Sequence, residues 1–238
     1  MALRILLPIL LAATVWLYWD ARIPGLPLTS WQVDIFLYPA QPPHRIRRAM
    51  SQITGPHVRL LALRSYSDPA VRAVAARWAP ATSQLEDISP WVRLNAALAL
   101  ERNEPIASRS VLLASLRPVT LFASEAGQMQ WRLAEGASVE TSDELGTSNG
   151  TPLGALWPGR LLKRYVQSGD ALKPGQRIAD VSLADHWQTA ALDSLGRIGL
   201  PVDSDALHVF ESEKYPTAVQ RAAAAAIRQI QSRPPKIP

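Results

Sequence analysis

The 238-residue chain contains no cysteine. This excludes disulfides, thiolate metal sites, cysteine nucleophiles and a lipid-modified N-terminal cysteine. It is compatible with any redox compartment. Lysine is scarce, with only Lys163, Lys173, Lys214 and Lys236 among 25 basic residues. Histidine is limited to His44, His57, His186 and His208. None of the four stands at metal-ligand spacing from another, so no metal site is expected. A P-loop, a G-x-S-x-G elbow and a G-x-G-x-x-G fingerprint are all absent, which removes the commonest phosphate-binding and serine-hydrolase signatures. Asp143 and Glu144 are adjacent carboxylates in a turn-like stretch, where solvation accounts for them. "NGT" at Asn149 matters as a glycosylation sequon only in a eukaryotic secretory pathway.

What is present is a globular composition, 47% hydrophobic and 19% charged, with a net charge of +5. The preference for Arg and Ala fits a GC-rich bacterial genome rather than a nucleic-acid-binding surface. One or two domains are expected at this length.

The N-terminus carries a short basic stretch, "MALR", and then an uncharged apolar run of 15 residues, Ile5 to Trp19. At about 1.5 Å per residue it falls just short of a typical bilayer span. The length suits a secretory signal or a short anchor. No small-x-small cleavage signal stands near Trp19. Trp16, Tyr18 and Trp19 cluster where amphipathic rings favour a membrane interface. An uncleaved anchor, residues 1–20, is therefore expected. Arg4 and the α-amino group favour an inside N-terminus, which places the rest of the chain in a bacterial periplasm, single-pass at the inner membrane. The next basic cluster, "HRIRR" (His44 to Arg48), is too distant to reverse that.

Residues 21–43 hold Pro24, Pro27, Pro39, Pro42 and Pro43, which forbid a long helix. This stretch reads as a linker. Trp31, Phe36 and Tyr38 either pack on the first helices or contact the interface.

Over residues 44–117 the apolar period becomes helical. "DPAVRAVAARWA" (Asp68 to Ala79) aligns with "SPWVRLNAALAL" (Ser89 to Leu100) at a shift of 21. Asp68 and Ser89 are N-cap candidates, Pro69 and Pro90 open the helices, and Arg72 matches Arg93. Over residues 184–232 "DHWQTAALDSLGRIG" aligns with "YPTAVQRAAAAAIRQI" at a shift of 32. Trp187 then matches Val219, Ala191 matches Ala223 and Leu195 matches Ile227. These segments resemble HEAT-type helical repeats. That resemblance implies stacked helix pairs with a protein-binding face.

Residues 118–183 read differently. With Gly136 laid on Gly169, "LAEGASVETSDEL" covers "YVQSGDALKPGQRI". Val139 then falls on Leu172 and Leu145 on Ile178. Gly169-Asp170 and Pro174-Gly175 are turn signals. The passage "PGRLLKRYVQSGDALKPGQRIADV" and its weaker first copy resemble the lipoyl/biotinyl carrier domain and the barrel-sandwich hybrid of hemolysin-secretion-type membrane-fusion adaptors. The first copy has Ser142 where a turn glycine is usual. Carrier domains hold their group on a lysine at the joint between halves. Here the joint, Leu145 to Gly159, has no lysine. The resemblance therefore implies an unmodified module without cofactor, and a joint too short for the long helical hairpin of export adaptors.

The expected fold is α+β: an anchor helix, then HEAT-like repeats flanking a small all-β module, with residues 233–238 as a tail. The expected role is a non-enzymatic membrane-anchored scaffold for protein partners in an envelope transport, secretion or membrane-protein assembly complex. Homo-oligomers are compatible with it, and nucleic acid is not an expected partner. Arg72, Arg93, Trp157 and Arg160 are the candidate partner-binding residues by location. Two alternatives stay open: an export adaptor subunit, and a degenerate lipoyl-like module that docks on an enzyme and modulates it, which a modified Lys163 or Lys173 would support.

Overall fold

Pro69 and Pro90 each occupy the first turn of a helix, where a missing N–H costs no intrahelical bond. The helices they open belong to a mixed α+β architecture, seen in a computed structural model that describes residues 27–140, 143–155 and 157–233. The apolar run Ile5–Trp19, with Trp16, Tyr18 and Trp19, lies outside these residues, as do Ser142 and residues 234–238. Among the described residues, no helix is long and apolar enough to cross a membrane.

The first part holds α1 (Ser30–Phe36), α2 (Pro43–Met50), α3 (Pro69–Trp78), α4 (Pro90–Leu100) and α5 (Pro105–Ser115), with 3-10 turns at Val58–Leu63 and Thr82–Glu86. A run of eight strands follows: β1 (Val119–Phe122), β2 (Gly127–Trp131), β3 (Ser138–Val139), β4 (Glu144–Ser148), β5 (Thr151–Gly154), β6 (Gly159–Arg164), β7 (Ala171–Leu172) and β8 (Arg177–Leu183). The chain ends in α6 (Asp185–Ile198), α7 (Ser204–His208) and α8 (Thr217–Gln231).

The Pro-rich stretch is not a plain linker. Thr29 caps α1, and its N–H donates to Gln32 Oε1 at 2.7 Å. Phe36 and Leu37 are fully buried, in a core shared with Ile46, Met50, Leu60 and Leu63. Burial of two large apolar side chains offsets the poor intrinsic stability of a seven-residue helix. Helix α3 joins this core to the main one. Val71 and Ala75 face the N-terminal side, and Ala73 and Ala76 face the other.

The strands form two four-stranded antiparallel sheets, ordered β1-β8-β6-β3 and β5-β4-β2-β7. Advancing each strand of the first sheet by four positions around the set of eight produces the second. The backbone repeats the same symmetry. Gly136 N–H donates to Leu161 O at 2.7 Å, and Gly169 N–H donates to Met129 O at 2.8 Å. Leu161 N–H returns to Ala137 O and Met129 N–H to Asp170 O, both at 3.0 Å. Both glycines have positive φ, +83° and +95°, which a side chain would strain. The aligned Val139, Leu172, Leu145 and Ile178 all point inward and are buried.

The joint between the halves is a two-residue hairpin rather than a loop. Asn149 and Gly150 both take positive φ, the geometry of a type I′ turn. Asn149 ties the tip back by accepting from Gln128 N–H at 2.8 Å and donating to Ala126 O at 3.2 Å.

The β module lies between α5 and α6 in sequence, yet those helices pack on each other. Helices α3, α4, α5, α6 and α8 thus form one continuous layer. Its core runs on into both sheets, from Leu94 and Leu112 through Met129 and Leu161 to Leu195 and Ile227. The alignment of the C-terminal helices holds in burial, since Ala191, Ala223, Leu195, Ile227 and Val219 are all buried and Trp187 half-buried. Gly196 permits their close approach, because a Cβ there would stand 3.1 Å from Ala226 Cα.

Candidate functional site

The two matched arginines do the same structural work. Arg72 donates to the carbonyls of Tyr66 and Ser67 at 2.8 and 2.9 Å. Arg93 donates to those of Asp87 and Ile88 at 2.6 and 3.1 Å. In each case the acceptors lie six and five residues earlier, so the 21-residue shift carries one set onto the other. Arg72 also grips Asp87 through two bonds of 2.9 Å. The N-caps diverge. Asp68 accepts from Ala70 N–H at 2.9 Å, whereas Ser89 makes no side-chain cap bond and Asp87 takes the Ser89 N–H instead. Burial opposes ionisation of Asp87, but the bonds from Arg72 and Ser89 outweigh it and hold the carboxyl below its ordinary range. Both guanidiniums are thus committed to the chain's own loops.

Trp157 is a correction. It is 1% exposed and belongs to the main core, so it offers nothing to a partner. A large aromatic between short strands at a sheet corner is drawn inward by the area it removes from water. Its indole N–H is buried without a hydrogen-bond partner.

Arg160 has a different setting. It stands on β6 with its side chain 47% exposed, 3.7 Å from Asp185 at the start of α6. A pair this exposed and this long contributes little to stability, about 0–1 kcal/mol. Arg160 and Asp185 line two adjoining clefts. One, of about 260 Å³, lies between β6 and the helices and includes Leu116, Leu162, Gln188, Lys214 and Tyr215. The other, of about 220 Å³, continues past Ser138, Glu140 and His186. A third, of about 440 Å³, shares Leu116, Pro118 and Tyr215 with the first and extends to Leu113, Val209 and Phe210. Through these shared residues they form a trough along the seam between the β module and the helices, apolar toward Leu113, Val209 and Phe210 and charged at its middle, where Arg160, Asp185 and Lys214 stand.

Local geometry explains the lining. A bulge between Leu161 and Lys163 disturbs the pairing of β6 with β8 and leaves Leu162 exposed. Gln188 is 3% exposed. Its amide nitrogen donates to Leu183 O at 3.0 Å, while its amide oxygen is buried in the trough wall with no donor. Exposed Lys214 precedes α8 on the same side. Gln188, Leu162, Lys214 and Tyr215 carry no sequence motif. The trough draws on four distant segments, and only Arg160 stood out in the sequence.

The other candidates are dispersed. Among the described residues, no group of three His, Asp or Glu side chains converges. His57 faces Asp34 at 3.1 Å and His208 faces Glu211 at 2.6 Å. Lys163 stands on β6, 5.0 Å from the Tyr165 ring, and Lys173 opens the β7–β8 turn, so neither is at the hairpin tip. Trp31 and Tyr38 are half-exposed, while Phe36 is packed inside.

No protein-family model matches the chain, and no curated protein or solved structure matches it.

Proposed function

We propose that this chain is a membrane-anchored, non-enzymatic scaffold that holds a protein partner in the trough between its β module and its helices. The observation that carries the reading is the trough itself. Its clefts share lining residues, and they offer apolar surface beside Arg160 and Lys214, with Asp185 alongside Arg160. An extended segment fits that chemistry when it sets an apolar side chain next to a carboxylate.

A doubled half-motif is what resemblance to a lipoyl/biotinyl-like barrel-sandwich module implies, and the exchange of the two sheets by a four-strand advance supports it. The repeated Arg72 and Arg93 contacts support a HEAT-like ancestry for the helices. Direct joining of β4 to β5 by Asn149-Gly150 favours a scaffold over an export adaptor with a helical hairpin at that place. The absence of a lysine at that tip favours an unmodified module over a carrier. The anchor and the periplasmic location rest on residues 1–20 and the charge around them.

The test is purification of the full chain, tagged at its C-terminus, from native membranes in mild detergent, with intact mass and co-purifying proteins read together. Full-chain mass with stoichiometric membrane partners is expected. Loss of roughly the first 20 residues, with no partner, contradicts the proposal. An added lipoyl- or biotinyl-sized mass replaces it with the carrier alternative.

A further inference from the structure

Five of the twelve exposed large apolar side chains among the described residues fall in two short segments near the N-terminus: Trp31 and Ile35 on α1 with Tyr38 in the turn just after it, and Val58 and Leu61 on the 3-10 turn Val58–Leu63. Trp31 and Ile35 are four apart and share one face of the helix, and the Tyr38 ring is joined to the second segment through Arg59. Val58 and Leu61 are three apart, so they share a face of the 3-10 turn. The two segments adjoin. Arg59 Nε donates to Asp34 Oδ1 at 3.3 Å, His57 Nε2 reaches the same oxygen at 3.1 Å, and the Arg59 guanidinium stacks on the Tyr38 ring at 4.1 Å. Val58 and Leu61 are 77% and 53% exposed, well above what a monomer's interior-facing side chains would show.

The charge of this unit is one-sided. Residues 27–68 hold five arginines (Arg45, Arg47, Arg48, Arg59 and Arg64) against two acids, Asp34 and Asp68, of which Asp68 pairs with Arg47 at 2.9 Å. Nine residues stand between Trp19, at the end of the apolar run, and the cap residue Thr29, ten Cα–Cα steps in all. Even fully extended they span at most about 35 Å. A chain held in a bilayer by residues 5–19 therefore presents this patch to the same bilayer at high effective concentration. Exposed Trp, Tyr and aliphatic side chains with Arg59 among them, on a unit with more basic than acidic residues, are the chemistry of a surface that sits in the headgroup layer of an anionic membrane.

The geometry points to the α1/3-10 face, centred on Trp31, Ile35, Tyr38 and Leu61, as a second membrane contact that lies flat on an anionic phospholipid surface. The β module and its trough are then oriented relative to the bilayer rather than swinging on a tether. This inference rests on residues 5–19 being a membrane anchor.

The absence of cysteine makes the test direct. Single substitutions Ile35→Cys and Leu61→Cys, and Ile106→Cys as a control at an 83% exposed position on α5, each accept one environment-sensitive nitrobenzoxadiazole label on the full chain. Unchanged thermal melts establish that the labelled chains fold. The chains are reconstituted into phosphatidylcholine vesicles with and without phosphatidylglycerol. Quenching by spin-labelled lipid is then measured. Labels at 35 and 61 are expected to shift to the blue and to be quenched several-fold more than the label at 106. Phosphatidylglycerol should strengthen the effect, and Trp31→Ser with Tyr38→Ser should weaken it. Labels at 35 and 61 that match 106, on chains that float with the vesicles, overturn the inference and leave the anchor intact. A blue shift without lipid quenching also overturns it, because protein rather than lipid then covers the face. Failure of the chain to float overturns the anchor, and this contact with it.

Discussion

Glu101, just after α4, accepts both hydrogen bonds of the Arg197 guanidinium on α6, at 2.8 and 2.9 Å, across 96 residues of sequence. Ser194 donates to the same carboxylate. The whole β module lies between these partners in the chain, so the pair closes the helix layer over it. A second clasp runs parallel, with Arg109 on α5 donating to Asp203 through Nε at 2.6 Å and also through a terminal nitrogen.

The first prediction concerns this clasp. Glu101 is 8% exposed, so removing its charge strands the polar groups around it. Glu101→Leu should destabilise by about 2 kcal/mol, and a double-mutant cycle with Arg197→Met should give a coupling of about 1–3 kcal/mol. Urea unfolding checks both. A coupling near zero would mean that the layer is held by apolar packing alone.

Acid should loosen the same seams. Burial opposes ionisation of Glu101 and Asp203, but hydrogen bonds, from Arg197 and Ser194 to the one and from Arg109 and the Leu200 N–H to the other, outweigh it and lower both. Asp87 is lowered in the same way. Unfolded, such carboxyls titrate near pH ~4. Between that value and the lower folded one, the unfolded chain binds more protons, so stability rises with pH. The contribution is complete above pH ~5 and is lost as pH falls through ~4 and below. Urea midpoints across this range should show the loss, and Glu101→Gln should flatten part of it.

The doubled β module makes a paired prediction. Gly136 and Gly169 hold equivalent bonds and equivalent φ, with open space where a Cβ would go. Gly136→Ala and Gly169→Ala should each cost about 1–2 kcal/mol, from backbone strain alone. Gly159→Ala should cost more, about 3 kcal/mol or above, because a Cβ there overlaps the carbonyl oxygen of Ser182. Equal losses at all three positions would contradict the assignment.

Trp157 separates packing from hydrogen bonding. Trp157→Ala should cost about 3–5 kcal/mol. Trp157→Phe should cost clearly less, because the lost ring volume is partly offset by removal of a buried N–H that has no acceptor. Thermal melts rank the two.

Sequence and structure agree where the signal is local. Proline and "VR" at a shift of 21 place α3 and α4 and match Arg72 with Arg93, whose contacts are equivalent, although of the two expected caps only Asp68 makes a side-chain bond; the Gly136–Gly169 match places the symmetry of the strands. Helix α1 is hidden in a stretch with five prolines, because its stability comes from Phe36 and Leu37 packing on residues 46–63 rather than from its own period. Trp157 beside Pro158 and Gly159 reads as a corner that a partner would touch, and only the tertiary core shows that it is filled from inside. Arg160 was visible as a half-exposed cation beside the joint. Gln188, Lys214 and Leu162 were not, since what joins them is the docking of four separate segments.

The central claim is that the trough holds a protein partner, and crosslinking from within it is the most direct test. A photoactivatable amino acid at Leu162, which lines the trough and is 43% exposed, would be activated in native membranes. One predominant adduct is predicted. It should be lost when Arg160→Gln and Lys214→Gln are combined, two exposed changes that forfeit at most the weak Arg160–Asp185 pair, about 0–1 kcal/mol. No adduct at 162, or one that survives the double substitution and appears equally from Ile106, would contradict the claim.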